Sequence, residues 1–354
     1  MGISLGAYSV VILSETTHPV ARLAAPLDIG GVTIANRVLL APMSGVSDRP
    51  FRRVAASFGA GLVISEMVAS EELAAGNAET AMRAEATGNG LHVVQLAGRE
   101  AHWMSEGAKA AADSGADIID INMGCPAKRV TTGYSGSALM RDLDHALTLV
   151  DATVAASPVP VTLKMRLGWD DKTINAPELA RRAEDAGVAM ITVHGRTRCQ
   201  FYKGTADWAA IAAVKQAISI PLIANGDCVS IESLAPMLEA SGADGVMVGR
   251  GAYGRPWLPG HLARYAATGT MPDRPQGAAL IDLVVGHFEE MIALYGPILG
   301  VRNARKHLSW TIEALGPDAV SAEARLAIMT EQHPDRVIML LRQHLGDAEM
   351  RRAA

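Results

Sequence analysis

The chain has 354 residues, with 32 Lys plus Arg against 37 Asp plus Glu, a formal net charge of −5 and a pI near 6.1. That balance excludes a protein that coats nucleic acid through bulk positive charge, so a polyanionic partner has to be met by a local patch. Three scattered cysteines without a C-x-x-C pair exclude a disulfide framework and a zinc knuckle, no metal site is read, and a reducing cytoplasm is the expected compartment. Residues 1–25 read as a loosely attached extension, because "YSVVIL" lacks the basic leader and cleavage site of a signal peptide and is too short to span a bilayer. Eight Val/Ile/Leu-rich runs follow, at 37–41, 61–65, 91–96, 117–122, 160–165, 190–194, 221–225 and 245–249. Ala-rich segments with helical spacing separate them, several ending in Gly-Ala or Ala-Gly, the expected helix stop. Strict alternation with continuous apolar strands predicts a parallel sheet covered by helices, and eight units predict an α/β (β/α)8 TIM barrel over 26–265. A doubly wound open sheet is the alternative, weakened because no Gly-rich nucleotide turn follows the first strand. From 266 to 354 the periodicity is helical throughout, predicting a small C-terminal all-helical domain. A monomer is the default expectation.

In such a barrel function sits at the carboxyl ends of the strands. Pro42 and Met43 follow strand one and Gln95 ends strand three; Asn122 and Cys125 follow strand four, Lys164 and Arg166 strand five, His194 and Arg196 strand six. Asn225, Gly226 and Asp227 follow strand seven, and Gly249 and Arg250 strand eight. A lone Gln, Asn or His at a strand end is ordinarily a cap or a satisfied structural residue, but here, with Ser65 and Glu66 after strand two, every strand contributes. Lys164, set in the apolar "VTLKMRLG", is costly inside a barrel unless it meets an anion or an acceptor. Loops after strands seven and eight are where barrels bind phosphate, so Gly226, Gly249 and Arg250 are candidates, although glycines also serve plain tight turns. With Gln95 and Asn225 as neutral amides and Lys164 as a cation, the set suits a phosphorylated ring bearing carbonyls, which describes FMN.

Cys199 and Cys228 read as inert core thiols. Cys125 stands apart, held between Gly124 and Pro126 at the functional rim with Lys128 and Arg129 beyond. A thiol near its reference pKa of about 8.5 is protonated at neutral pH and can act as a general acid. A flavin hydride to one carbon and a cysteine proton to its neighbour is the chemistry this pairing suggests.

The motifs "APMSGVSDRPFR", "VVQLAG", "DINMGCPAKRV", "KMRLGWD", "ITVHGRTRCQFYKGTADW", "IPLIANGD", "GADGVMVGR" and "RKHLSW" occur in that order. Over residues 25–345 the chain resembles the tRNA-dihydrouridine synthase family, closest to its bacterial B-type branch. The resemblance implies that FMN, reduced by NADPH, gives hydride to C6 of a uridine in tRNA while Cys125 protonates C5. It implies that Pro42, Met43 and Ser44 touch the flavin face, Gln95 its pyrimidine edge and Lys164 its N1/C2=O region, with His194 against the ring. Asn225, Gly226, Asp227, Gly249 and Arg250 would hold the ribityl phosphate. On the same basis Asn122 orients the uracil with Arg166 on the substrate side, Lys128 and Arg129 stand at the entrance, and Arg302, Arg305 and Lys306 of "RNARK" contact tRNA phosphate. Ser44, where many relatives have Ala, and the long N-terminal extension depart from the family pattern. A flavin barrel acting on a free pyrimidine and a non-catalytic RNA-binding barrel are the competing readings.

Overall fold

The computed structural model describes residues 20–353 apart from 89 and 318, with side chains described as far as 346. The first 19 residues of the expected extension lie outside the described residues. The next six are not loosely attached. A 3-10 helix, Ala21–Ala24, packs on the helix Leu258–Thr268 and buries Leu23 completely. The core therefore begins earlier in the chain than its composition suggests.

A hairpin of β1 (Leu27–Ile29) and β2 (Val32–Ile34) comes next, paired antiparallel across Gly30 and Gly31. Its apolar residues Ile29 and Ile34 plug the amino-terminal end of the barrel, against Leu39, Ile118, Met190 and Ile223. The barrel strands are β3 (Val38–Leu40), β4 (Leu62–Val63), β5 (Met67–Ala69), β6 (Val93–Ala97), β7 (Ile118–Met123), β8 (Val161–Arg166), β9 (Met190–His194), β10 (Leu222–Asn225) and β11 (Gly245–Val248). All pair in parallel, in the order β4-β3-β11-β10-β9-β8-β7-β6-β5. The two ends of that list are consecutive pieces of one segment, residues 62–69. The chain pairs first with β3, donates from Ser65 N to Val93 O at 3.0 Å, and then pairs with β6. The ring closes through this broken strand, which removes the open-sheet alternative and gives the expected (β/α)8 barrel.

Strands buried on both faces carry continuous β-branched runs, while the helices outside present Ala, Leu and Val inward. The "SGAD" stop at 241 works as read: Gly242 adopts a left-handed φ of 66° and ends the helix Leu234–Ser241. The helix Leu258–Thr268 spans residue 265 and ends at Gly269, at φ 72°. Beyond it lie the helices Gly277–Leu315, Ala322–Thr330 and Pro334–Ala353. The first is kinked where Gly296, at φ 76°, precedes Pro297. These helices share a core built on Phe288, Met291, Leu308, Ile328 and Leu341, which Trp257 of the barrel side joins. Among the described residues no helix is long and apolar enough to cross a membrane.

Candidate active site

Strands β6 to β10 and the loops after β3, β7 and β11 deliver polar side chains to one cavity of about 1060 Å3 at the carboxyl end of the barrel, and β5 adds the apolar Met67, Val68 and Ala69. Pro42, Met43 and Ser44 line it from the loop after β3, Gln95 from β6, and Asn122, Cys125 and Arg129 from β7 and its loop. Lys164 and Arg166 come from β8, His194 from β9, Asn225, Gly226 and Asp227 from β10, and Gly249 and Arg250 from the loop after β11. Register explains the grouping, since Asn122 pairs with Lys164, Arg166 with His194, and His194 with Asn225 on neighbouring strands. Residues level with each other across a parallel sheet point to the same side.

Cys125 is held by a chain of amides. Asn122 Oδ1 accepts from Gly124 N at 3.1 Å and from Cys125 N at 3.0 Å, while its Nδ2 donates to Gln95 Oε1 at 2.7 Å. Gln95 Nε2 in turn donates to the buried Asp120 at 2.6 Å, and Thr162 donates to the other oxygen of that carboxylate at 2.5 Å. Both ends of the Asn122 amide are thus engaged in shaping the cysteine loop. Arg166 closes the loop from the other side, donating to Gly124 O at 2.8 Å and to Thr197 O and Phe201 O at 2.9 and 2.8 Å. Burial pushes the Cys125 thiol above its ordinary value of 9.0, outweighing the Ala127 amide, Arg166 and Lys164, which pull it down. The thiol is held protonated at neutral pH.

On the opposite arc, Lys164 Nζ donates to Asn225 Oδ1 at 3.1 Å, and Asn225 Nδ2 donates to Met247 O at 2.8 Å. Burial first, and Arg166 second, lower the Lys164 pKa to about 8. His194 is pushed well below its usual value by burial and then by Arg166, Lys164, Arg196 and Arg250. Arg196 Nη1 lies 3.2 Å from His194 Nε2, and a guanidinium can only donate, so the neutral imidazole carries its proton on Nδ1. Asp227 does not stand free. Burial pushes its pKa up, yet the Arg196 contact at 2.6 Å, the Ala206 amide at 2.7 Å and Arg250 at 3.6 Å together hold it below the usual carboxylate value.

A family model described as dihydrouridine synthase (Dus) matches residues 39–345. The chain belongs to the dihydrouridine synthase family. A probable tRNA-dihydrouridine synthase of Rhizobium leguminosarum bv. phaseoli is 56% identical over 317 residues, spanning 90% of this chain and 97% of the relative. The tRNA-dihydrouridine synthase B of Xanthomonas campestris pv. campestris is 45% identical over 90% of this chain and 95% of its own. Morphinone reductase in complex with tetrahydroNAD shares the barrel fold at a TM-score of 0.50 and 18% identity, over 73% of this chain and 93% of that one. Histamine dehydrogenase from Rhizobium sp. 4-9 does so at 0.53 and 14% identity, over 92% and 65%.

Within this dihydrouridine synthase the remaining expected site residues are dispersed. Lys128 is exposed on the short helix Lys128–Thr131 and does not line the cavity. The three cations of "RNARK" do not form one patch. Arg302 faces solvent, Arg305 donates to Glu331 O at 3.1 Å, and Lys306 turns toward Gly45. Cys199, expected in the core, is exposed, whereas Cys228 is buried and its pKa is pushed up to about 12 by burial. Asp120 and Tyr202, not singled out in the sequence, and Arg196, placed there only by its position after strand six, matter here. Asp120 anchors the amide chain from mid-strand, Arg196 pins Asp227, and Tyr202 lies under Arg250 and Arg166 at 4.6 and 5.4 Å. Asp120 had a signal, an acid flanked by isoleucines in the middle of "DIIDIN", which is costly in a strand unless it is hydrogen-bonded.

Proposed function

We propose that this chain is a cytoplasmic, monomeric tRNA-dihydrouridine synthase that binds FMN, takes reducing equivalents from NADPH and protonates a uracil of tRNA through Cys125. The single observation that carries the reading is the placement of the half-buried Cys125 in the wall of a cavity that Lys164, Arg166 and Arg250 also line. The residues present fit FMN. Lys164, Arg166, Arg196 and Arg250 surround a neutral His194 with positive charge, the environment a phosphorylated, electron-accepting ring requires. Gly226, at φ 110°, brings backbone so close to the imidazole that a Cβ would lie 2.8 Å from His194 Cδ2, so no side chain fits there.

In this reading Pro42, Met43 and Ser44 would hold the flavin, Lys164 with Gln95 would meet its electron-rich edge, and Gly249 and Arg250 would hold its phosphate. Asp227 orients Arg250 and Asn225 aims Lys164. Once bound and reduced, FMN supplies the hydride that C6 of the uracil accepts. The C5=C6 bond is conjugated to the C4 carbonyl, so negative charge builds on C5 and O4. Cys125 Sγ then gives its proton to C5, which completes 5,6-dihydrouracil. Asn122 serves by fixing the thiol, and Arg166 by tying the cysteine loop to the 197–201 loop. The target base leaves its stack to reach the cavity. Arg129 at the mouth, Lys128 and Arg302 are the exposed cations available to tRNA phosphate, and the C-terminal helices form the RNA-facing region.

Replacing Cys125 by Ala tests the reading. Flavin reduction by NADPH, followed by absorbance, is expected to persist, while dihydrouridine formation falls roughly a hundredfold or more. Product formation at the wild-type rate would overturn the acid role, and a protein that refuses FMN would overturn the cofactor.

A further inference from the structure

We infer that Tyr295 and Lys306, both on the kinked helix Gly277–Leu315, are positioning residues that fasten the cavity loop 42–47, and through it set how tightly the barrel mouth holds its flavin. The flavin part of this rests on the function proposed above; the fastening does not. The loop is a compact unit. Val46 N and Ser47 N both donate to Met43 O at 2.9 Å, and Ser47 Oγ accepts from Met43 N at 2.7 Å. Met43 and Ser44 face the cavity from this unit, so whatever moves the loop moves the cavity wall.

Two carboxylates anchor the loop. Glu66, in the break between β4 and β5, accepts from Gly45 N. Asp48 accepts from Phe51 N at 3.1 Å, capping the helix Arg49–Ser57, and its second oxygen accepts from Tyr295 Oη at 3.1 Å. Both carboxylates are buried, and burial raises the pKa of each. Among the described residues neither has a Lys or Arg within ion-pair distance. Lys306 reaches the loop from the C-terminal helices, its Nζ 3.6 Å from where a Cβ on Gly45 would stand, and its charge, followed by that of Arg52, draws the Asp48 pKa down, while Arg83 and Arg52 do the same for Glu66. Buried carboxylates need donors, and removing one leaves an uncompensated group. Here the helical region supplies one to Asp48, the Tyr295 hydroxyl, from 247 residues away in sequence, and Lys306 reaches Gly45 of the same loop from beyond the kink at Gly296. Neither Tyr295 nor Lys306 lines the cavity, so an effect on flavin binding has to pass through the loop.

The test compares wild type with Tyr295→Phe, which removes one hydroxyl, and with Lys306→Met. In the apoprotein, amide hydrogen exchange over residues 42–48 is expected to quicken about tenfold in both variants, with β7 to β10 unchanged. The FMN dissociation constant, read from quenching of flavin fluorescence, is expected to rise about tenfold, and Lys306→Arg to restore it. Unchanged exchange in both variants overturns the fastening. Faster exchange with wild-type FMN affinity overturns the positioning role. If wild type itself refuses FMN while exchange still quickens, the fastening is supported and the function proposed above is what fails.

Discussion

Lys164 and Cys125 sit in the same cavity with their pKa values displaced in opposite directions by the same cause, loss of water. Burial lowers the ammonium to about 8 and raises the thiol above 9.0. Near neutral pH both therefore carry their protons, which suits a cation for an electron-rich ring edge and an acid for a carbon. As pH rises through about 8, Lys164 loses its charge first. Affinity for FMN is expected to fall between pH 7 and 9 in wild type, and Lys164→Met to bind roughly tenfold or more weakly with no dependence on pH in that window. Titration by flavin fluorescence at several pH values checks both. His194 contributes no charge anywhere in this range, because burial and four surrounding cations keep it neutral.

Elements matter here through their junctions. The loop after β11 carries Gly249 and Arg250 into the cavity and then turns back against the C-terminal helices. Tyr253 stacks on Trp310 with centroids 4.0 Å apart and planes 13° from parallel. Gly254 follows at φ 66°, where a Cβ would lie 2.1 Å from Trp310 O. Backbone cannot yield to that contact, so Gly254→Ala is expected to destabilise the protein by about 3 kcal/mol, combining overpacking with a strained left-handed alanine. Denaturant unfolding measures it, and a midpoint equal to wild type would contradict the packing. The break between β4 and β5 is a second such junction, since it closes the ring and also presents Glu66 to the cavity loop.

For the whole molecule the governing quantity is charge. With a net −5 and only Lys128, Arg129 and Arg302 of the expected RNA contacts exposed, tRNA has few cations to meet. Binding through about three phosphates gives a slope of log affinity against log salt of roughly −2 to −3, and Arg302→Met is expected to reduce that slope by about one. Filter binding of a tRNA transcript at several salt concentrations tests this. A steep slope near −8 would mean a basic face that these side chains do not form. With so few phosphate contacts, most of the affinity is expected to come from shape.

The eight apolar runs, their alternation with Ala-rich helices and the clustering of polar residues at strand ends determined the barrel and most of the cavity, because in a parallel barrel a side chain's end of the strand is also its end of the molecule. Cys125, Lys164, His194 and Asn225 were legible for that reason. Tertiary structure alone decided which polar groups face each other. Asn122 and Arg166 turn inward to hold the cysteine loop, Asp227 is held by Arg196, and the cations of "RNARK" diverge among solvent, Glu331 and Gly45. Helical periodicity fixes which residues share a face but not what packs against that face, and the hairpin plug and the broken second strand depend on pairings with distant segments. Hydrogen-bond partners follow from contact in space, which a linear order of residues does not contain.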